Sequence, residues 1–251
     1  MVNIIGLIAA MAQESNALLR KITPWERTSF GRLSAYAFSV FTRSCVLVTS
    51  GMGALRAKEA AFRLIQEHKP HVLISFGIAG AVEPDMEIGD VVLAKAYCQA
   101  DQGVLSQVLP LAAWPEPDRN AVSQAMIRLG KRVFVGTAVT TTGSQFTLKQ
   151  LEGMDHPVLE METAGIAPLA AESGIPLYSL RSISDGPRAP IPIDLAEVMD
   201  ENANLKTGEL IKAVIRNPGI IFQGSRMLRN TSTAAENAAI AILETLQHWS
   251  D

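Results

Sequence analysis

Short apolar runs alternate with longer amphipathic segments along most of the 251-residue chain. Short apolar runs bounded by turn residues are typical of buried strands, whereas apolar residues spaced three and four apart indicate helices. Strands are predicted at residues 3–10, 35–41, 45–49, 71–76, 91–96, 133–140, 157–161 and 177–183. Helices are predicted at 15–22, 53–68, 119–129 and 162–173, and over most of the last sixty residues, with a break at Asn217-Pro218-Gly219.

This alternation predicts an α/β fold, a three-layer α/β/α sandwich around a central mixed, mostly parallel sheet. The sequence has no tandem repeat, no low-complexity tract and no clear linker. We therefore predict a single domain over residues 1–251, with a helical tail from about residue 187. Residues 99–118 form the least regular stretch and are expected to be a loop or an excursion from the sheet.

Charge and cysteine content exclude several classes of protein. The chain has 22 Lys and Arg against 25 Asp and Glu, a net charge of −3, so no basic field is present to hold nucleic acid. Its two cysteines, Cys45 and Cys98, lie far apart and have no metal-ligand spacing, which favours a reducing compartment. The apolar start lacks a basic leader and no apolar run is long enough to span a bilayer, so we expect a cytoplasmic protein.

Polar residues concentrate where the predicted strands end. Ligands of open α/β sheets bind beyond the carboxyl ends of the strands. A single acid at such a point is more often a first-turn residue of the next helix. Six ends here carry glycine, acids, hydroxyls or methionine, which together indicate one composite small-molecule site with Glu14, Glu162 and Asp185. These ends are residues 11–14, 50–53, 77–80, 141–146, 160–162 and 182–186.

Common catalytic and cofactor motifs are absent from the sequence. It has no dinucleotide-binding glycine fingerprint, no phosphate-binding loop ending in Gly-Lys-Ser/Thr and no Gly-x-Ser-x-Gly nucleophile elbow. Its four histidines have no ligand-spaced partners, so no metal site is predicted. Carboxylate acid–base chemistry is the better hypothesis.

The segments at the strand ends, in this order, resemble those of the nucleoside phosphorylase and nucleosidase superfamily, which includes the 5′-methylthioadenosine/S-adenosylhomocysteine nucleosidases. The resemblance spans roughly residues 3–186 and implies the phosphorylase-like fold. The matching segments are 10–14 (AMAQE), 50–53 (SGMG), 77–80 (GIAG) followed by Gly89-Asp90, 142–146 (TGSQF), 159–162 (LEME) and 181–185 (RSISD).

The resemblance implies a role for each polar residue of the site. Asp185 matches the general acid that protonates N7 of a departing purine, and Ser184 would orient it. Glu162 matches the acid that grips the ribose hydroxyls, above Met161, which packs under the sugar. Glu14 matches the general base that activates water in the nucleosidases.

Apolar residues of the matching segments complete the implied substrate site. Phe146 matches the aromatic residue that stacks on the base, Met11 and Met52 would line the sugar pocket, and Gly80 belongs to the same binding segment. Ile78 stands where the nucleosidases carry a hydroxyl residue facing the nucleophile. With Met161, these side chains make an apolar 5′ side that suits a thioether or an alkyl chain.

The nature of the nucleophile stays open at this point. Phosphorylases of the superfamily surround phosphate with arginines, and none occurs in the matching loop after the first strand. Arg56 lies one turn into the helix after Gly53 and is expected to face solvent. The missing arginines favour hydrolysis, whereas Ile78 weakens the match to the nucleosidases. We predict no metal or organic cofactor, with phosphate as a conceivable co-substrate.

The tail from about residue 187 is similar to that of the hopanoid-associated branch, whose members are described as phosphorylases that remove adenine from the lipid nucleoside adenosylhopane. Residues 205–230 hold five Lys or Arg and one Glu among many apolar residues. A basic amphipathic helix of this kind can lie on an anionic membrane surface, which would place the protein at the inner face of a membrane. The commoner interpretation is a solvated face over a core-packed helix.

Four functional hypotheses follow. The leading one is cleavage of the N-glycosidic bond of an adenine nucleoside with an apolar 5′ substituent, lipid-linked or not. The alternatives are a methylthioadenosine/S-adenosylhomocysteine nucleosidase, a conventional purine or uridine phosphorylase, and a non-catalytic nucleoside-binding module that would keep Phe146 and Glu162 without needing Asp185. The resemblance also implies a homo-oligomer whose neighbouring subunit closes the site.

Overall fold

A computed structural model describes residues 3–101, 104–141, 148–188 and 219–249. Its strands are β1 (Ile4–Ala9), β2 (Trp25–Thr28), β3 (Ser34–Val40), β4 (Arg43–Thr49), β5 (Val72–Ala81), β6 (Val91–Asp101), β7 (Val104–Leu105), β8 (Leu109–Pro110), β9 (Val133–Thr141), β10 (Pro157–Glu160) and β11 (Leu177–Asp185). Its helices are α1 (Ala12–Leu19), α2 (Ala54–His68), α3 (Glu116–Arg128), α4 (Thr163–Glu172) and α5 (Gly219–His248), with a 3₁₀ turn at Leu148–Leu151.

All the strands belong to one mixed sheet, in the order β10-β9-β6-β11-β5-β1-β4-β3-β2. Strands β11, β5, β1 and β4 run parallel, as do β6, β9 and β10, and β6 meets β11 antiparallel. The α/β fold with a mixed, mostly parallel sheet is therefore confirmed. The end of β5 also pairs antiparallel with β10, through Val158 and Ala81, which closes five strands into a ring that the sequence did not predict.

The helices cover both sides of the sheet because successive strand residues point to opposite faces. Leu7 of β1 belongs to the core under α1, α3 and α5, whereas its neighbour Ile8 belongs to the core under α2 and α4. Helices α2 and α4 cross so closely that a Cβ on Gly165 would overlap the carbonyl oxygen of Ala54. This contact fixes the start of α2 against α4, where two parts of the candidate site meet.

Several predicted boundaries are wrong. Helix α1 begins at Ala12 rather than at residue 15, which places Glu14 in its first turn. Residues 77–80 do not follow a strand but lie inside β5, which continues to Ala81 because β11 and β10 pair with it. Within 99–118, β6 pairs with the two-residue strands β7 and β8, and α3 begins at Glu116, so this stretch carries short elements rather than a single loop.

The tail is only partly described. Helix α5 agrees with the predicted helical end of the chain. Residues 205–218 of the predicted membrane-contact segment lie outside the described residues. None of the helices in the described ranges is long and apolar enough to cross a membrane.

Candidate active site

Glu14 joins the first turn of α1 to β5. Its Oε2 accepts a hydrogen bond from the N–H of Met11 at 2.8 Å, and its Oε1 accepts one from the N–H of Ile78 at 2.9 Å. The side chain is buried, and burial raises the pKa of the carboxyl although both N–H bonds and the charge of Arg181 oppose the shift. The acid is thus a first-turn helix residue whose side chain also reaches the end of β5.

Gly77 makes room for that carboxylate. A Cβ at this position of β5 would overlap Oε1 of Glu14. The role of the glycine is therefore steric, because its backbone is not in the left-handed region.

Glu162 lies between β10 and α4 and points at the start of α2. Its Oε1 accepts a hydrogen bond from the N–H of Gly53 at 3.1 Å, and its Oε2 accepts one from the N–H of Met161 at 3.3 Å. Burial, and then the negative charge of Glu160, raise the pKa of Glu162 to about 7. Glu162 therefore changes its charge near neutral pH.

Glu160, the last residue of β10, has a much richer set of donors. It accepts hydrogen bonds from the hydroxyls of Thr140 and Thr163, from the N–H groups of Glu162 and Thr163, and from Arg181 Nη2 at 2.6 Å. Burial alone would raise the pKa of Glu160, but the Arg181 charge and these donors outweigh it and hold the pKa below its usual value. Glu160 therefore stays ionised to a lower pH than an ordinary glutamate.

Arg181 is the counter-ion of this cluster and is 1% exposed. Besides Glu160, its Nη2 contacts the hydroxyls of Ser75 and Thr163, and its Nη1 donates to the carbonyl of Leu180. Glu160 and Arg181 were predicted only as parts of the matching segments, without a role of their own. The available signal was an arginine in the middle of a strand predicted to be buried, because a buried charge requires a partner.

Asp185 ends β11 at an irregularity in the sheet. Ile183 pairs with Ala79 and Asp185 pairs with Gly80, so Ser184 is an extra residue, a β-bulge. Because side chains alternate along a strand, one extra residue turns Asp185 to the side opposite that of Arg181 and Ile183. A Cβ on Gly80 would lie 2.7 Å from Asp185 Oδ2, so this glycine also leaves room for a carboxylate.

A single side-chain hydrogen bond supports Asp185 among the described residues. The hydroxyl of Ser184 donates to Oδ1 at 2.7 Å. Burial raises the pKa of Asp185, and the Ser184 hydrogen bond only partly opposes it. The arrangement favours a carboxylic acid that keeps its proton above the usual aspartate range.

The apolar residues predicted for the site are half-buried at the ends of neighbouring strands. Met11 follows β1, Met52 follows β4, Ile78 lies in β5 and Met161 follows β10. Phe146 lies outside the described residues. In the part of the chain that the structure describes, no group of three His, Cys, Asp or Glu is arranged to hold a metal ion.

The predicted solvent exposure of Arg56 is wrong. The side chain is half-buried and folds back over the end of β4, where its Nη1 lies 3.0 Å from the position of a Cβ on Gly51. Gly51 has a positive φ of 85°, which brings this loop back toward the first turn of α2. A cationic group therefore lies beside the Gly51–Met52–Gly53 segment.

Comparison with known families decides where the chain belongs. The family model described as "Phosphorylase superfamily" matches residues 4–216. The chain belongs to this superfamily. A 5′-methylthioadenosine/S-adenosylhomocysteine nucleosidase of Actinobacillus succinogenes is 32% identical over 197 residues, covering 72% of this chain and 85% of the relative. A 5′-methylthioadenosine/S-adenosylhomocysteine nucleosidase of Marinomonas is 26% identical over 235 residues, covering 84% of this chain and 99% of the relative.

Solved structures of superfamily members share the fold. The nucleosidase from Neisseria meningitidis, in complex with methylthio-immucillin-A, has a TM-score of 0.71 at 22% identity and covers 98% of this chain and 99% of its own. A mutant futalosine hydrolase of Helicobacter pylori has a TM-score of 0.70 at 16% identity, with coverages of 98% and 99%. The predicted family, and the prediction of an enzyme that cleaves an N-glycosyl bond, are thus confirmed.

Proposed function

We propose that this enzyme cleaves the N-glycosidic bond of an adenine nucleoside that carries an apolar 5′ substituent. The observation that carries the proposal is the placement of three carboxyl groups with different partners at strand ends. Asp185 is placed to keep a proton, whereas Glu162 and Glu14 each accept two backbone N–H hydrogen bonds that favour the ionised form. A proton donor and carboxylates in one site are the usual signature of acid–base catalysis. The similarity to relatives named as 5′-methylthioadenosine/S-adenosylhomocysteine nucleosidases supports both cleavage of an N-glycosidic bond and adenine as the base.

Asp185 acts on the leaving group. As the C1′–N9 bond breaks, its electron pair moves into the purine and the proton of Asp185 is transferred to N7, so that neutral adenine departs. Proton transfer by a positioned acid contributes about 10²- to 10⁴-fold to a rate. The Ser184 hydroxyl then stabilises the aspartate that is left behind.

Glu162 acts on the sugar. Bond breaking leaves an oxocarbenium-like ring that carries positive charge, and a carboxylate that accepts hydrogen bonds from the ribose hydroxyls stabilises it. The N–H groups of Gly53 and Met161 fix the carboxylate for this task. The Met161 side chain supplies the apolar surface under the ring.

Glu14 acts on the nucleophile. A carboxylate oxygen has two lone pairs, so each oxygen can accept a further hydrogen bond in addition to the one from the backbone. In hydrolysis, water forms the C1′–O bond and transfers a proton to Glu14. The products are adenine and the free 5′-substituted ribose.

The apolar 5′ side favours a hydrophobic substituent. Met11, Met52 and Met161 are adaptable thioether side chains and Ile78 is apolar, and together they suit a thioether or an alkyl chain. This chemistry fits methylthioadenosine as well as a lipid-linked nucleoside such as adenosylhopane. The basic segment at 205–230 would hold the enzyme at an anionic membrane surface for the second kind of substrate.

The experiment is a substrate panel with purified protein. Methylthioadenosine, S-adenosylhomocysteine, adenosine, uridine and a long-chain 5′-alkyl adenosine are incubated with and without phosphate, and the free base is measured by chromatography. We expect adenine from the 5′-apolar adenosines, and the preferred 5′ group separates the soluble from the lipid substrate. Release of uracil would instead indicate a conventional phosphorylase, and no release from any substrate would overturn the proposal.

Phosphorolysis is the second candidate, and the position of Arg56 favours it. A guanidinium beside the Gly51–Gly53 loop could bind a phosphate that replaces water at C1′. Adenine release that requires phosphate would establish this version. The variant Arg56→Gln should then raise the KM for phosphate without changing the KM for the nucleoside.

The predicted homo-oligomer fits an exposed apolar strip on α2. Leu55 and Phe62 are 77% and 53% exposed and lie seven residues apart, on one side of the helix. Leu55 is two residues from Gly53, so a subunit covering this strip would reach the rim of the site. Sedimentation of Leu55→Glu and of the unchanged protein tests this: we expect the variant to sediment as a smaller species.

A further inference from the structure

Arg181 is shared unequally between two neighbouring glutamates. Its Nη2 lies 2.6 Å from Glu160 Oε2 but 3.8 Å from Glu162 Oε2. The first distance is a charge-assisted hydrogen bond, whereas the second is only an electrostatic contact. The glutamate that makes the strong pair is the one to which the proposed function gives no contact with substrate.

The surroundings of Glu160 hold it in this position. The hydroxyls of Thr140 and Thr163 and two backbone N–H groups all donate to it, so four donors besides the arginine fix its two oxygens. The charged and titratable groups that face it are Arg181, Glu162 and the thiol of Cys98, whose pKa is raised by burial and by the Glu160 charge. Glu160 is therefore an anion whose two oxygens are already occupied by protein donors.

The surroundings of Glu162 are poorer. Two backbone N–H groups donate to it, and the charged groups that face it are Glu160, Arg181 and Glu14. Two of these three groups are themselves carboxylates. Counting Glu162, three carboxylates surround a single guanidinium at this point of the molecule.

We propose that Glu160 is a positioning residue that engages Arg181 and so keeps Glu162 from being neutralised by a direct ion pair. The inference rests on the proposed function, because it assumes that Glu162 is the carboxylate that grips the sugar. A carboxylate paired tightly with arginine would have little attraction left for a positively charged ring. With Glu160 in place, the ionised form of Glu162 is not held in a direct ion pair when that ring develops its charge.

The direct test follows the ionisation of Glu162 in the free enzyme and needs no turnover. The protein is labelled with ¹³C at the glutamate carboxyl carbons, and the Glu162 signal is identified by its loss in Glu162→Gln. In the unchanged protein we expect Glu162 to titrate near its pKa of about 7, while Glu160 stays ionised well below that pH. Titration of Glu162 in the ordinary glutamate range would overturn the proposal, whether or not the variants of Glu160 and Arg181 fold.

Two substitutions of the pair should shift the Glu162 titration in opposite directions. Glu160→Gln removes a like charge and releases Arg181, so the midpoint should fall by at least about one pH unit, a tenfold change in the ionisation constant. Arg181→Met removes the counter-charge, so the midpoint should rise. A purely structural disturbance would move both variants the same way, and that result would contradict the proposal.

The double variant tests whether Glu160 really holds the arginine in place. In Glu160→Gln, Arg181 is expected to move onto Glu162. Adding Arg181→Met to that variant should then raise the Glu162 titration midpoint by more than Arg181→Met alone raises it in the unchanged protein. Equal shifts in the two backgrounds would mean that the arginine never moves, and the positioning role would be wrong. Cleavage by the unchanged enzyme tests the proposed function separately.

Discussion

Arg181 and Asp185 lie four residues apart on β11, yet the carboxyl groups around them have opposite surroundings. Near Arg181, Glu160 is buried among five donors and stays ionised. At the end of the strand, Asp185 has one side-chain hydroxyl partner, and burial raises its pKa. The bulge at Ser184 separates the two, because it turns the end of the strand to the other side.

The difference shows how one strand can supply two kinds of acid. Burial raises the pKa of a carboxyl in both places, and the number of donors and the arginine decide whether the group is ionised. In the proposed function, the cluster around Arg181 is the sugar side of the site, where negative charge is useful. The Asp185 end is the proposed base side, where a proton is useful.

Asp185→Asn should have the largest effect of the variants on the rate, because it removes the proposed proton donor to the base. The amide cannot give up a proton, so kcat for adenine release should fall by about 10³-fold, within the range expected for a general acid. The Kd of a non-cleavable adenosine analogue should change little. Ser184→Ala is the matched control, because it removes only the supporting hydroxyl and should cost about tenfold or less. Equal losses in the two variants would contradict the assignment of the proton donor.

Arg181→Met should destabilise the folded protein by disrupting the cluster on the proposed sugar side. Removing one member of a buried ion pair leaves Glu160 uncompensated, which should lower the free energy of unfolding by about 3–5 kcal/mol in urea titrations. Adding Glu160→Gln to this variant should restore much of the loss, since a neutral pair is tolerated in the core. A double variant whose loss equals the sum of the single losses would mean that the two residues are not coupled.

Substitution of Gly77, which faces Glu14, and of Gly80, which faces Asp185, should have smaller effects, one mainly on stability and the other mainly on rate. Gly77→Ala forces Glu14 off two backbone N–H groups and should lower the free energy of unfolding by about 1–3 kcal/mol. Gly80→Ala displaces Asp185, which has fewer partners, so kcat should fall by about 10²-fold while stability is nearly kept. Urea unfolding and initial rates on both variants check this contrast, and similar profiles would argue against it.

The pH dependence of stability should show the smallest effect. The pKa of Asp185 is raised in the folded protein above its unfolded value near 3.8, so its contribution is fully present below that value and is lost as pH rises through the folded pKa. Asp185→Asn avoids this loss and should therefore raise the thermal midpoint at pH 8 but not at pH 4. Glu160→Gln should instead lower the thermal midpoint at pH 8, because folding lowers the pKa of Glu160. The stabilisation from Glu160 is present above the unfolded pKa and is lost as pH falls through the folded pKa.

Most of the fold could be predicted because the apolar pattern of each buried strand is local. Strands β1, β4, β9 and β11 and helix α2 lie close to their predicted positions. The extension of β5 to Ala81 could not be predicted, because it depends on pairing with β10, a strand far along the chain. Strand β2 was also missed: its sequence is short and exposed, and among the described residues it pairs only with β3.

The candidate site was predictable to the extent that its residues stand at strand ends. Glu14, Glu162 and Asp185 were found in this way, and the structure places each of them beside a neighbouring strand or helix. The pairing of Arg181 with Glu160 was missed, because two charges twenty-one residues apart reveal a contact only in the folded sheet. The bulge at Ser184 was missed too, since it is a difference in register between two strands.

The central claim is that Asp185 serves the leaving base while Glu162 serves the sugar, and changing the leaving group separates the two. Rates are measured for methylthioadenosine and for the 4-nitrophenyl glycoside of the same methylthioribose, whose leaving group needs no proton. The account predicts that Asp185→Asn loses about 10³-fold on the adenosine but less than about tenfold on the nitrophenyl compound, whereas Glu162→Gln loses strongly on both. Equal losses by Asp185→Asn on the two substrates would contradict the account.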